Sequence, residues 1–115
     1  MSDQLFLLRP GYFKGEHGPY YCLESLAIEG LLSFYPELRN IVTVHYVDYP
    51  KLNPLNFGKN FAKLQAVPML LLSEHIIPKD KALNLQQNND ARYLLDEADI
   101  RHYLATQYGV ATAEN

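Results

Sequence analysis

Apolar residues in this chain occur in two patterns, brief continuous runs and repeats at helical spacing. Apolar runs of about four to eight residues bounded by turn residues favour buried strands, whereas repeats three and four residues apart favour amphipathic helices. The two patterns together predict the elements in order. Strands are predicted at residues 4–8, 41–48, 67–72 and 91–95, and helices at residues 22–35, 53–61 and 96–108.

This order of elements predicts a βαβ unit followed by a ββα unit. The run at residues 41–48 is β-branched and aromatic almost throughout, as expected of an interior strand that is covered on both faces. A strand, a helix and a second parallel strand are almost always joined by a right-handed crossover. We therefore predict an α/β fold around a four-stranded mixed sheet.

Several helix ends carry their own signals. Asp96 is a favourable N-cap for the last helix, and Gly109 is a typical C-terminal stop. Pro36 ends the first helix. Asn53 and Pro54 suit the cap and first turn of the short helix.

The remaining segments have no periodic pattern. Residues 12–21 are rich in glycine and predict a loop, and residues 74–90 predict a surface excursion. The tail from about residue 110 is expected to fray. The length suits one domain that spans residues 1–115.

Cys22, the only cysteine, stands at the predicted start of the first helix. The unpaired N–H groups and the positive dipole end of a helix start favour a thiolate. Ser25 lies three residues further on and shares a helix face with Cys22. These two residues are the candidate catalytic pair. The alternative is that Cys22 is a small apolar residue packed beneath the loop.

Three landmarks resemble the thioredoxin-like superfamily. The stretch Cys22-Leu23-Glu24-Ser25 stands in the place of its active-site Cys-x-x-Cys or Cys-x-x-Ser motif, and Val67-Pro68 stands in the place of its cis-proline. Residues 94–100 resemble the segment before its closing helix. The resemblance implies a thioredoxin-like fold with a cis-proline, of the type found in glutaredoxins and glutathione-transferase N-terminal domains.

A narrower resemblance covers most of the chain outside residues 74–90. Residues 5–11, Tyr21-Cys22 and residues 27–32 are similar to a bacterial thioredoxin-like family of uncharacterised function. Members of that family often carry Cys-Pro-x-Cys at this point, whereas this chain has Leu23 and Ser25 in place of the proline and the second cysteine. An internal dithiol cycle is therefore excluded.

The resemblance implies monothiol chemistry and a surface that binds glutathione. Cys22 would form and release a mixed disulfide, with a second thiol supplied by glutathione or by a thiol-bearing protein. No tightly bound cofactor is expected. The residues assigned to this surface by the resemblance are Arg9, Tyr21, Val67, Pro68 and Glu97.

The assigned residues can be interpreted in two ways, as ligand-binding groups or as residues with a purely structural role. Arg9 can meet a glutathione carboxylate, or it can simply be solvated at the surface. Glu97 stands where related sites bind the γ-glutamyl group, yet a carboxylate at a helix start also opposes the dipole. Tyr21 can line a pocket or be half-buried packing. The Val67 backbone beside Pro68 can pair with an extended peptide.

The composition of the chain restricts the classes of partner that it is expected to bind. Ten Lys and Arg are outnumbered by thirteen Asp and Glu, at a net charge of −3, so no basic surface for nucleic acid or anionic lipid is expected. The sequence has no run long enough for a membrane span or a signal peptide, and its single cysteine cannot form an internal disulfide. We therefore expect a cytoplasmic protein. The four histidines lack metal-site spacing, so no metal is expected.

These observations lead to two hypotheses from different classes. The first is a glutathione-linked monothiol oxidoreductase that catalyses thiol–disulfide exchange. The second is a non-catalytic thioredoxin-like adaptor that uses the Val67-Pro68 edge and nearby tyrosines to hold a partner or to form a homodimer.

Overall fold

The structure is a computed structural model that describes residues 2–50, 67–88 and 90–114. Within these residues the chain forms a five-stranded mixed sheet, a two-stranded hairpin and three helices, which confirms the α/β class. The elements in chain order are β1 (Asp3–Leu8), β2 (Tyr12–Lys14), β3 (His17–Tyr20), α1 (Leu23–Phe34), α2 (Leu38–Ile41), β4 (Val42–Val47), β5 (Met69–Leu71), β6 (Gln86–Asn88), β7 (Ala91–Leu94) and α3 (Glu97–Tyr108).

The main sheet has the strand order β4-β1-β5-β7-β6. β1 and β4 are parallel neighbours, and α1 lies between them in the chain, as the predicted βαβ unit requires. β5 pairs antiparallel with both β1 and β7, and α3 follows β7. β1 is therefore the strand that joins the two units.

The sheet has one strand more than predicted. β6 pairs antiparallel with β7, so the prediction of four strands is wrong, and residues 86–88 of the predicted excursion belong to the sheet. Gln86 and Gln87 are exposed. An edge strand of this kind is held mainly by backbone hydrogen bonds, so its sequence need not alternate between apolar and polar residues.

The prediction of a loop at residues 12–21 is also wrong in part, because β2 and β3 form an antiparallel hairpin. All four residues of β3 are exposed, which removes the alternation that would have indicated a strand. Gly15, with φ of 64°, forms the turn, and a Cβ on Gly18 would stand 2.8 Å from the Tyr12 carbonyl oxygen. The hairpin leads the chain directly to the start of α1.

The two long helices match their predicted bounds within one residue at each end. Asp96 caps α3 by accepting a hydrogen bond from the Ala98 N–H at 2.9 Å, and Gly109 ends it in the left-handed region at φ 78°. The single turn of α2 is too short for a periodic pattern, so it was not predicted. The helix predicted at residues 53–61 lies outside the described residues.

β5 begins directly after Pro68, so this proline lies outside the hydrogen-bonded ladder, as a residue without an N–H must. The Val67–Pro68 peptide bond is cis, as are the Gly18–Pro19 and Tyr49–Pro50 bonds. The side chain of Pro68 is buried.

β1 supplies apolar side chains to both faces of the sheet. Leu5 and Leu7 pack with α1 and α3 on one face, whereas Phe6 packs with Met69 and Tyr93 on the other. Successive residues of a strand point to opposite faces, and full burial of each such side chain contributes about 1.5–3 kcal/mol. The packing of β1 therefore fixes the position of its C-terminal end, from which the β2–β3 hairpin leads the chain to Cys22.

The first residue of β1 is a buried carboxylate. Asp3 is 1% exposed, and its oxygens accept hydrogen bonds from the Tyr103 hydroxyl at 2.5 Å, the Tyr108 hydroxyl at 2.6 Å and the Ser73 N–H at 2.8 Å. Buried charged groups are tolerated when they are hydrogen-bonded in this way. The cluster joins the start of β1 to α3 and to the segment after β5.

Replacement of Asp3 should destabilise the fold strongly. In Asp3→Ala two phenol hydroxyls and one backbone N–H lose their acceptor, and the Tyr103 hydroxyl loses it in a fully buried place, so we expect a loss of about 3 kcal/mol in the free energy of unfolding, measured with urea. Tyr108→Phe removes one donor and should cost about 1 kcal/mol. A loss under about 1 kcal/mol for Asp3→Ala would contradict the role of the cluster.

The same cluster predicts an alkaline limit to stability. Burial, followed by the bond to Asp3, raises the pKa of Tyr108 to about 12 and raises the pKa of Tyr103 further. An unfolded tyrosine ionises near a pKa of about 10. Above that pH the unfolded chain therefore binds fewer protons than the folded chain, and the free energy of unfolding falls as pH rises.

We expect this fall in urea unfolding experiments between about pH 10 and pH 12, and we expect it to be smaller in Tyr108→Phe. Absorbance titration of the folded chain provides the check. If all tyrosines ionised together near pH 10, the prediction would fail.

Candidate functional site

Cys22 is the N-cap residue of α1. Its backbone is extended, at φ −88° and ψ 117°, and its Sγ accepts a hydrogen bond from the Ser25 N–H at 3.4 Å. A cap residue usually offers an oxygen to the free N–H groups of the first turn, and here the sulfur takes that place. The structure therefore puts the two predicted catalytic residues in contact, with an N–H donor directed at a half-buried thiol.

Ser25 ties the start of α1 to the end of β1. Its side chain is 3% exposed, and its Oγ accepts a hydrogen bond from the Leu8 N–H at 3.1 Å. The pairing of β1 with β5 stops at Phe6 and Met69, two residues before Leu8. The serine oxygen thus supplies the acceptor that this buried N–H requires.

The hydroxyl hydrogen of Ser25 has no acceptor among the residues that the structure describes. The hydroxyl can donate as well as accept a hydrogen bond, and only its acceptor function is used by Leu8. Ser25 therefore keeps one unused hydrogen-bonding function beside Cys22.

Cys22 and Ser25 line a cleft of about 350 Å³ between α1, the end of β1 and the edge strand β4. This volume falls within the range of small-ligand sites, about 300–1,000 Å³. The cleft is partly open to solvent, and its lining is mostly apolar and aromatic. The residues that form these walls are Leu7, Leu8, Pro10, Tyr21, Leu26 and Tyr46.

Arg9 lies at one rim of the cleft. Its Nε donates to the Asp48 carboxylate at 2.9 Å, and its guanidinium lies over the ring of Tyr46, 5.6 Å from the ring centroid. Both members of the ion pair are more than half exposed, so the pair contributes little, up to about 1 kcal/mol. The pairing is therefore weak enough to give way to a ligand.

Glu29 at the far wall joins α1 to β4 through a hydrogen-bond network. Arg39 donates to Glu29 Oε1 at 2.6 Å, the Tyr46 hydroxyl donates to Oε2 at 2.7 Å, and Arg39 also donates to the Tyr46 hydroxyl at 3.2 Å. Burial, followed by the bond to Glu29, raises the pKa of Tyr46 above its usual value. The hydroxyl therefore remains protonated, and all three side chains have partners.

Four of the residues predicted from the sequence line this cleft together: Arg9, Tyr21, Cys22 and Ser25. Glu97 lies elsewhere and forms a two-point ion pair with Arg101, one turn further along α3. Its carboxylate is engaged within its own helix.

Val67 and Pro68 also lie outside the lining of the cleft. Val67 and Pro68 directly precede Met69, the residue of β5 that pairs with Phe6 of β1. Val67 packs with the layer of Phe6 on the face opposite α1. This pair is therefore near the end of β1, on the side of that strand away from β4.

Sequence patterns did not single out Leu26, Glu29 or Tyr46 as site residues. A partial signal exists for Tyr46, because residues 42, 44 and 46 of one strand share a face and α1 covers that face. The contact between Glu29 and Tyr46 depends on where the helix crosses the strand, and spacing in the sequence does not encode that position.

The described residues hold no group of three or more His, Cys, Asp and Glu side chains placed to bind a metal ion. In the same part of the chain no helix has the length and apolarity needed to cross a bilayer.

A protein-family model described as "Protein of unknown function (DUF3088)" matches residues 2–112. The match includes every residue of the cleft described above. Comparisons with curated proteins and with solved structures found no match.

Loss of the Ser25 hydroxyl should loosen the start of α1. In Ser25→Ala the buried Leu8 N–H loses its acceptor, so we expect a loss of about 1–2 kcal/mol in stability and faster hydrogen exchange at Leu8. Ser33→Ala, at an exposed position of the same helix, should change stability by less than about 0.5 kcal/mol. Unchanged protection of the Leu8 amide in Ser25→Ala would contradict the prediction.

Proposed function

We propose that Cys22 is the nucleophile of a glutathione-linked monothiol oxidoreductase. The chain belongs to the DUF3088 family of proteins of unknown function. The observation that carries this proposal is the Cys22 Sγ at the N-cap of α1. It accepts the Ser25 N–H and opens onto a ligand-sized cleft. A thiol held against a helix start and reachable by a ligand is the arrangement that reactive cysteines require.

We propose in addition that the domain has a thioredoxin-like fold. The four strands β4-β1-β5-β7, with β1 and β4 parallel and the other two neighbouring pairs antiparallel, support this proposal. So does the position of Cys22, at the first helix of the βαβ unit. β6 and the β2–β3 hairpin are additions to that arrangement.

The reaction is thiol–disulfide exchange in two steps. The Cys22 thiolate attacks one sulfur of a substrate disulfide, a bond forms between Sγ and that sulfur, and the other sulfur leaves as a thiolate. The chain has one cysteine, so the thiolate of glutathione or of a protein must attack the mixed disulfide. That attack moves the substrate sulfur to the external thiol and returns Cys22 as a thiolate.

The surrounding residues would stabilise and position the reactants. The Ser25 N–H stabilises the negative charge on Sγ before attack and after release. Arg9 is the cation that can receive a carboxylate at the rim, in exchange for Asp48. A backbone partner for an extended tripeptide would come from Val67, beside the end of β1. Such a cycle suits a reducing, glutathione-containing compartment.

The second candidate is a non-catalytic adaptor, and one observation favours it. Several apolar side chains on or beside α1 are far more exposed than is usual, with Leu23 at 70% and Phe34 at 85%. Exposed apolar patches often mark interaction surfaces. In this hypothesis Cys22 would serve as a cap and have no reaction to perform.

Exposure to oxidised glutathione separates the two candidates. We expect the native chain to gain one glutathione, detected by mass spectrometry, and to gain none as Cys22→Ser. The rate should exceed that of the same thiol in the urea-unfolded chain by about tenfold or more, because the first turn of the helix supplies an N–H donor. A native rate at or below the unfolded rate would reject the oxidoreductase and favour the adaptor.

A further inference from the structure

The volume and lining of the cleft beside Cys22 restrict the chemical class of group that it can bind. Its walls are formed by apolar and aromatic side chains, among them Leu26 and Tyr46 on opposite elements. A group that fills about 350 Å³ is larger than a benzene ring, which occupies an apolar cavity of about 150 Å³. The volume and lining therefore suit an aromatic or branched aliphatic group.

The charges around the cleft cancel. Of the residues that line it, Arg9 is paired with Asp48 and Glu29 is paired with Arg39. The cleft thus presents no net charge among the described residues. Neither charged side chain that lines the cleft is unpaired, so its interior favours an uncharged group, whereas a ligand carboxylate can bind only at the rim, where Arg9 would exchange Asp48 for it.

Ser25 adds a second observation that points to a ligand. It lines the cleft, it is 3% exposed, and its hydroxyl hydrogen has no acceptor in the part of the chain that the structure describes. Its oxygen already accepts the Leu8 N–H, so only the donor function of the hydroxyl is open to a ligand. A ligand with one acceptor atom near the thiol would satisfy this donor.

We propose that the α1–β4 cleft is a subsite for an uncharged apolar group with one hydrogen-bond acceptor, carried by the disulfide that Cys22 attacks. This inference rests on the proposed oxidoreductase function and names its substrate class. The apolar group packs between Leu26 and Tyr46 and holds the target sulfur beside Cys22. The Sγ–sulfur bond then forms as the substrate S–S bond breaks, and the other sulfur leaves as a thiolate into solvent.

Two disulfides of opposite character test the proposal on the full chain. The uncharged aromatic probe is 2,2′-dithiodipyridine, and the charged probe is glutathione disulfide. The rate ratio of the two probes with Cys22, divided by the same ratio for N-acetylcysteine, removes their difference in intrinsic reactivity. We expect this normalised ratio to be about ten or more, because apolar burial favours the aromatic probe.

Leu26 and Leu23 offer a matched pair of variants. Both are exposed leucines of α1, at 50% and 70%, but only Leu26 lines the cleft. Leu26→Ala should lower the rate with the aromatic probe by about three- to tenfold more than the rate with glutathione disulfide, since part of the apolar wall is lost. Leu23→Ala should change neither rate by more than about twofold.

A normalised ratio near one, or an equal loss with both probes in Leu26→Ala, would overturn the subsite. If Cys22 in the native chain reacts with neither probe faster than the unfolded chain does, the oxidoreductase function fails. The subsite is then decided by binding alone.

Binding is measured without thiol chemistry in Cys22→Ala, with benzyl alcohol as an uncharged aromatic probe that carries one acceptor oxygen. We expect saturable amide shifts in NMR spectra at Leu26 and Tyr46, weakened in the double variant with Leu26→Ala. Shifts that do not saturate, or that are the same with and without Leu26, would overturn the proposal.

Discussion

The hydrogen bond from the Leu8 N–H to the Ser25 hydroxyl is the interaction on which the site depends. It connects the last residue of a central, buried strand to the first turn of α1, at 3.1 Å and out of contact with solvent. Ser25 also donates a hydrogen bond from its own N–H to the Cys22 sulfur. One serine therefore sets both the place of the helix and the environment of the thiol, and the cleft exists because the helix begins at that point.

A second anchor lies at the other end of β1. Asp3 joins that strand to Ser73, Tyr103 and Tyr108, which lie 70, 100 and 105 positions further along the chain. It accepts hydrogen bonds from the Ser73 N–H and from the two phenol hydroxyls. Between the two anchors the strand contributes Leu5, Phe6 and Leu7 to both apolar layers. β1 is thus held at its start by a carboxylate, along its length by packing, and at its end by a hydroxyl, which leaves the thiol little freedom to shift relative to the sheet.

The parts of the fold that could be predicted are those with a local cause. α1 and α3 follow from apolar repeats and from Pro36, Asp96 and Gly109 at their ends, and the βαβ order follows from the position of the apolar runs. β6 and the β2–β3 hairpin were missed because exposed strands need no apolar pattern. Cys22 and Ser25 could be paired from their spacing at a helix start, whereas Arg9 and Tyr21 were assigned by the resemblance to thioredoxin-like proteins. Glu29 and Tyr46 could not be predicted, because their pairing needs the angle between a helix and a strand.

The occupation of position 25 by serine also has a kinetic meaning. The oxygen there is engaged by Leu8, and a thiol in the same place would be a weaker acceptor for that buried N–H. A serine hydroxyl is also not a nucleophile towards a disulfide, so Ser25 cannot displace a bound sulfur as the thiolate of a second cysteine would. Any disulfide formed at Cys22 consequently has no unimolecular route of escape within the chain. Its release is a second-order reaction whose rate depends on the concentration of external thiols. The oxidised fraction of this protein would therefore report on that concentration.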